Sequence, residues 1–171
     1  MYNLSGHRSE KDETLKKPPV LTRLEIRYQD LDPYGHVNNA VYLEFFESVR
    51  FAYWQALADL VGIDELVAGD VPGARYVVAE TTVRYREPIF FEDILYGAAS
   101  ISTVGNRSYT MDFELRTGEA FEEGNVVAEG YAAQVFFDPK TEEVLPRPEW
   151  FLPAVARLEG RPEESFTPER A

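Results

Sequence analysis

Between Arg27 and Tyr42 the chain reads Arg-Tyr-Gln-Asp-Leu-Asp-Pro-Tyr-Gly-His-Val-Asn-Asn-Ala-Val-Tyr. Two carboxylates (Asp30, Asp32), a glycine (Gly35), an imidazole (His36) and an asparagine pair (Asn38, Asn39) are crowded into this stretch. A turn by itself asks only for Gly, Pro, Asn and Asp. A carboxylate held beside an imidazole can in addition serve as a nucleophile or a general base. If a helix starts directly afterwards, its free N–H groups and positive dipole end add a site for developing negative charge. Each residue also has a plain structural account. Asp32 before Pro33 fits an Asx-turn, and Asn38 or Asn39 fits a helix N-cap.

The elements that must position this loop can be read from periodicity. Residues 21–28 alternate loosely, as a half-buried strand does. After the loop, Tyr42, Phe45, Phe46, Val49, Tyr53, Ala56, Leu57 and Leu60 form one continuous helical stripe. The spacing predicts a helix that begins near Asn38 or Asn39 and stops at Gly62. At 1.5 Å per residue such a helix is about 33 Å long. Phe51 and Trp54 lie off the main stripe, so a helix this apolar calls for a sheet curled around it.

A Gly-, Asp- and Pro-rich loop over 62–74 follows. Four strand-like runs come next, at 75–87, 94–104, 108–117 and 126–137, separated by turn signals. Alternation is read in Tyr109, Met111, Phe113 and Leu115, and again in Tyr131, Ala133, Val135 and Phe137. Short turns between successive strands predict an antiparallel meander. Pro148 to Leu158 reads as a short terminal helix. Residues 1–19 read as a flexible leader, 20–157 as a single domain, and 158–171 as a flexible tail. The class is α+β: one long helix and an antiparallel sheet.

Composition narrows the function. The chain of 171 residues is 44% apolar and 13% aromatic, enough for one well-packed core. It has no cysteine and two histidines, which removes thiol nucleophiles and Cys-based metal sites and leaves no metal site expected. The net charge is −13, an unfavourable field for nucleic acid. No stretch is long and apolar enough for a membrane span, and no apolar signal-peptide core opens the chain, so the cytoplasm is the expected location.

The element order, and the string from Asp30 to Arg50, resemble the hot-dog fold, in which a curved antiparallel sheet wraps one long helix. The specific resemblance is to the 4-hydroxybenzoyl-CoA thioesterase-like, acyl-CoA thioesterase branch. It rests on Asp30, Asp32, Gly35, His36, Val37, Asn38, Asn39, Tyr42, Phe46, Glu47 and Arg50. The Gly-His-Val-Asn-Asn segment is also similar to the second repeat of plant acyl-carrier-protein thioesterases. The resemblance implies a thioester hydrolase acting on acyl-CoA, with Asp32 attacking the carbonyl or activating water. Under it, N–H groups around Asn38 and Asn39 polarise the carbonyl and Gly35 keeps the backbone close. His36 would position water or orient Asp32, with a structural role equally open to it.

The same resemblance places basic or hydroxyl residues beside the carrier arm: Arg84, Arg86, Arg107 and Ser108. Tyr42 joins the substrate-facing set, although its stripe position fits core equally well. Glu47 and Arg50, three apart, fit a helix-surface or subunit-interface ion pair. No cofactor is implied beyond the CoA of the substrate. A homodimer is expected, with a dimer of dimers as its extension, and active sites where subunits meet. Two other roles use the same fold: an acyl-carrier-protein thioesterase, which an acidic surface disfavours, and a non-catalytic acyl-CoA-binding module. A hot-dog dehydratase fits poorly, because His36 sits in a different motif.

Overall fold

A computed structural model describes residues 17–62 and 75–167. The expected leader up to residue 16, most of the 62–74 loop and the last four residues of the tail lie outside them. Strand β1 (Val20–Leu24) leads through a 3-10 turn at Tyr28–Asp30 and the Asp32–Asn39 loop into helix α1 (Val41–Val61). Strands β2 (Tyr76–Tyr85), β3 (Leu95–Val104), β4 (Ser108–Thr117) and β5 (Asn125–Asp138) follow. A two-residue strand β6 (Glu143–Val144), helix α2 (Phe151–Glu159) and a 3-10 turn at Glu163–Phe166 complete the chain.

The strands form one antiparallel sheet in the order β1-β3-β4-β5-β2, with β6 paired to the end of β5. The expected meander therefore covers only β3 to β5. The chain between β2 and β3 crosses the sheet, so β2 pairs with β5 and occupies an edge. A long helix inserted early in the chain separates β1 and β2, and the meander fills the space between them.

Helix α1 packs on the concave face through Phe45, Phe46, Val49, Tyr53, Trp54 and Leu57. Its stop at Gly62 is as expected, in the left-handed conformation at φ 75° that favours glycine. Its start is later than either asparagine suggests. The Asn38 side chain accepts from the Ala40 N–H at 2.9 Å and its carbonyl accepts from Val41 at 2.9 Å, so Asn38 closes a turn in front of the helix.

Two glycines set the distance between helix and sheet. A Cβ at Gly97 would stand 2.3 Å from Val49 Cγ2. A Cβ at Gly130 would stand 2.0 Å from the Thr82 carbonyl oxygen and 2.9 Å from the Phe46 ring. Phe46 uses that room to stack on Phe113, with ring centroids 4.7 Å apart. The alternation expected of β5 is present, and this packing sets which set of residues faces the helix. The inward residues are Ala128, Ala132, Gln134 and Phe136, in phase with Gly130, while Tyr131 is exposed. Small residues belong beneath a closely packed helix, and the larger alternating set points away from it.

Residues 158–167 pack on the domain where a flexible tail was expected. Helix α2 runs to Glu159, and Phe166 is fully buried under the Arg161 guanidinium, 4.2 Å from its ring centroid. Strand β1 pairs with β3 only as far as Ala99. Beyond it, side chains replace the missing strand. Glu159 accepts from the Ile101 N–H (2.6 Å), the Ser100 hydroxyl (2.7 Å) and the Tyr53 hydroxyl (2.8 Å), and Arg161 donates to the Ile101 carbonyl (2.6 Å). Burial holds the Glu159 carboxyl above its ordinary value, with the donors pulling the other way.

The helix–sheet contact gives a stability prediction. Gly130→Ala forces a Cβ against backbone that cannot retreat, and overpacking of this kind costs about 1–3 kcal/mol. A urea-unfolding midpoint well below wild type, with unchanged slope, is the expected result.

Candidate active site

The loop is built around Asp30. Its side chain is 2% exposed and accepts from the Arg27 N–H (2.8 Å) and from Arg27 Nη2 (2.7 Å), which also reaches Glu44 at 3.0 Å. Its carbonyl accepts from the Asn38 N–H at 2.8 Å. Burial pushes the Asp30 carboxyl up, but the bonds and charge of Arg27 outweigh it and hold the group below its ordinary value. Asp30 thus closes the loop at both ends, its side chain on the Arg27 backbone and its carbonyl on the Asn38 N–H.

Inside that closure the chain makes a narrow turn. The Asp32 N–H donates to the His36 carbonyl (2.8 Å) and the Gly35 N–H donates to the Asp32 carbonyl (3.0 Å). Gly35 has φ 87°, which glycine adopts freely and other residues rarely do. The Asp32 carboxylate is divided in its duties. Its Oδ1 accepts from the Tyr34 N–H (2.8 Å) and the His36 N–H (3.4 Å), while its Oδ2 faces His36 Nδ1 at 3.4 Å. The Asx-turn role is therefore present, and it occupies one oxygen only.

The helix N-terminus is less open than expected. The Asn38 N–H is spent on Asp30 and the Ala40 N–H on Asn38 itself. The Asn39 N–H has no acceptor among the described residues, and the Asn39 carbonyl accepts from the Tyr85 hydroxyl at 3.0 Å. Asn38 is thus a loop-closing residue, and Asn39 is the backbone donor left free between it and the helix.

Asp32, Gly35, His36, Asn38 and Asn39 are brought together by one loop. Tyr42 is 2% exposed and packs edge-on against Tyr85 (4.9 Å), so within one protomer it lies in the core. The basic and hydroxyl candidates lie on or beside β2 and β4. Tyr85 turns toward α1, so Arg84, its neighbour on the strand, points to the opposite face of the sheet. Arg84 and Arg86 both pair there with Glu129, Arg84 at 3.3 Å. Arg107 and Ser108 are exposed at the β3–β4 turn, at the far end of ten-residue strands from Leu95 and Thr117. That separation is roughly 30 Å within one protomer. Arg50 is buried, not on the helix surface: it pairs with exposed Glu47 and lies 5.7 Å from the Phe113 centroid.

The segment Pro88–Asp93 reads only as a turn in the sequence, yet it forms the second wall of the site. The Val37 N–H donates to the Ile89 carbonyl (2.8 Å), His36 forms a β-bridge with Phe90, and the two rings meet edge-on at 5.8 Å. Nothing periodic marks such a contact, so no pattern in the chain could have revealed it. Among the described residues no three His, Asp or Glu side chains gather as metal ligands, and no helix is long and apolar enough to cross a membrane.

A curved antiparallel sheet around one helix, with a polar loop at the helix start, is the hot-dog arrangement. The sequence profile of the thioesterase-like superfamily matches residues 26–155, and the chain belongs to that family of thioester hydrolases. It is 32% identical over 124 residues to the long-chain acyl-CoA thioesterase FadM of Escherichia coli strain K12, covering 72% of this chain and 87% of that one. A thioesterase from Thermus thermophilus, solved with coenzyme A and zinc, superposes with a TM-score of 0.70 at 32% identity, covering 85% of this chain and 97% of the other. The probable thioesterase YbaW of Escherichia coli superposes at 0.64 with 26% identity, covering 81% and 98%.

The Asp30 clamp predicts a pH signature in stability. Its folded pKa lies below its ordinary value of 3.8, so its contribution is complete above that pH and is lost as pH falls through the folded value. Acid titration of the melting temperature is expected to show this loss in the wild type. In Asp30→Asn that component is absent, and the variant starts from a lower melting temperature at pH 7.

Proposed function

We propose that the protein hydrolyses acyl-CoA thioesters to a free acid and CoA, with Asp32 as the reacting carboxylate. The observation that carries this reading is the division of Asp32: Oδ1 is immobilised by two backbone N–H groups, and Oδ2 is presented beside an imidazole. Oδ2 takes a proton from a water that adds to the thioester carbonyl carbon, or itself adds there to form a mixed anhydride with Asp32, which a water then hydrolyses to free the acid and the carboxylate. On either route the C–S bond breaks, and the CoA sulfur leaves as thiolate and collects a proton. The Asn39 N–H, at the positive end of α1, receives the developing oxyanion; a donor of this kind is worth about 2.7–4 kcal/mol. Gly35 leaves the approach to Asp32 unobstructed, and Asn38 holds the turn that exposes Asn39. CoA enters as part of the substrate, with no resident cofactor or metal in the scheme. Two relatives whose names specify acyl-CoA or whose crystals hold coenzyme A support the choice of carrier. An acidic acyl-carrier protein would meet like charge on a chain of net −13.

The working unit we propose is a homodimer joined through β2. That strand is ten residues long, pairs with β5 on one side only, and exposes Val77 and Val78. A long apolar edge is a template for another strand. Antiparallel pairing of two β2 edges would bring the start of the partner's β4 to the end of the sheet where Asp32 lies. The partner's Arg107 and the partner's Ser108, remote from Asp32 in one protomer, then flank the CoA arm. Sedimentation equilibrium is expected to return twice the 19.5 kDa chain mass; a monomer at assay concentration overturns this part.

Release of free thiol from a panel of short, long and aromatic acyl-CoAs tests the activity. Asp32→Asn is expected to lower kcat by about 10²–10⁴-fold while acyl-CoA binding persists. Equal, negligible rates for wild type and variant would favour the binding-module role instead.

A further inference from the structure

We infer that Phe90 is a positioning residue for the reaction, acting through His36 on the open oxygen of Asp32. The inference rests on Asp32 being the reacting carboxylate, as proposed above. Backbone N–H groups hold Asp32 Oδ1, and the side chain that bears on Oδ2 from the other side of the carboxylate is His36, with Nδ1 at 3.4 Å. The His36 side chain is 39% exposed and has no buried socket of its own. Two rings restrain it. Tyr34 stacks on one face at 6.2 Å with a 23° interplanar angle, and Phe90 meets it edge-on at 5.8 Å and 76°.

The two restraints differ in kind. Tyr34 is 84% exposed and is carried by the same turn as His36, so it moves with the imidazole. Phe90 comes from the other wall and is held independently. Its N–H donates to Asp93 Oδ2 at 2.8 Å, its carbonyl accepts from the Asp93 N–H at 3.2 Å, and the preceding Ile89 is fully buried. The β-bridge from His36 to Phe90 then ties the backbone of the two walls. Phe90 is 44% exposed, which is unusual for a ring kept only to fill the core. Its edge is the fixed surface against which the imidazole is set, and through it Oδ2 is aimed. Displacement of a reacting group by about 1 Å is enough to lower a rate a hundredfold.

The test is a double-mutant cycle on the acyl-CoA the wild type turns over best, with circular dichroism on every variant. Phe90→Ala is expected to reduce kcat about tenfold, with KM within about twofold of wild type. His36→Ala is expected to reduce it by at least as much. In the His36→Ala background, Phe90→Ala should have no further effect, and Phe90→Tyr should restore the wild-type rate when His36 is present. Equal losses from Phe90→Ala in both backgrounds, or no loss in either, overturn the inference. If Phe90→Ala does not fold, Phe90→Leu takes its place in the cycle, because it keeps bulk without the aromatic edge. Asp32→Asn, measured alongside, keeps the two readings apart. Full activity there removes the Asp32 mechanism itself, whereas an inactive Asp32→Asn with an additive cycle removes only the role of Phe90.

Discussion

The buried carboxylate of Asp30 is the constraint on which the site depends. It faces Arg27 on one side, and its own carbonyl holds the Asn38 N–H on the other. An unpaired charge in that position would be costly, so the loop must keep Arg27 and Asn38 where they are. The Asp32–His36 turn and the half-engaged Asp32 carboxylate hang between those two anchors, and the free N–H at Asn39 follows directly after the second. The first carboxylate of the motif is thus architectural. Two acids two residues apart acquire different surroundings because one is sealed beside a guanidinium and the other keeps one oxygen free of backbone donors.

Much of the fold can be read from periodicity, because its signals are local. The α1 stripe and the strand runs obey simple spacing, and the strands β2 to β5 fall within a few residues of their expected limits. The differences arise where a distant element decides. The inner face of β5 is lined by Ala128, Ala132 and the gap at Gly130, since Phe46, on a helix far earlier in the chain, needs the volume. The position of β2 at the edge reflects a crossover that no short turn announces. Glu159, Arg161 and Phe166 read as part of a solvated tail until the open edge of β3 gives them partners.

The site shows the same division. The Asp32, Gly35, His36, Asn38 and Asn39 set is contiguous, so its residues were bound to meet. The Ile89–Phe90 wall, the Tyr85 hydroxyl on Asn39 and the spent N–H of Asn38 are products of folding. The arginines of β2 illustrate a further limit. Residue type marks Arg84 and Arg86 as phosphate partners, but strand alternation turns Arg84 to the outer face, and both are already matched there by Glu129.

The two margins of the sheet are not alike. On the β1 side the strand is five residues long, and beyond it the Ile101 backbone of β3 is occupied by the Glu159 and Arg161 side chains, in a segment that lies past residue 155, where the family profile ends. On the β2 side ten residues of backbone face outward. A sheet with two receptive margins can add copies indefinitely and grow into a fibre. The C-terminal segment therefore does more than stabilise its own protomer: through Glu159 and Arg161 it occupies the Ile101 backbone, which would otherwise stand open to another strand.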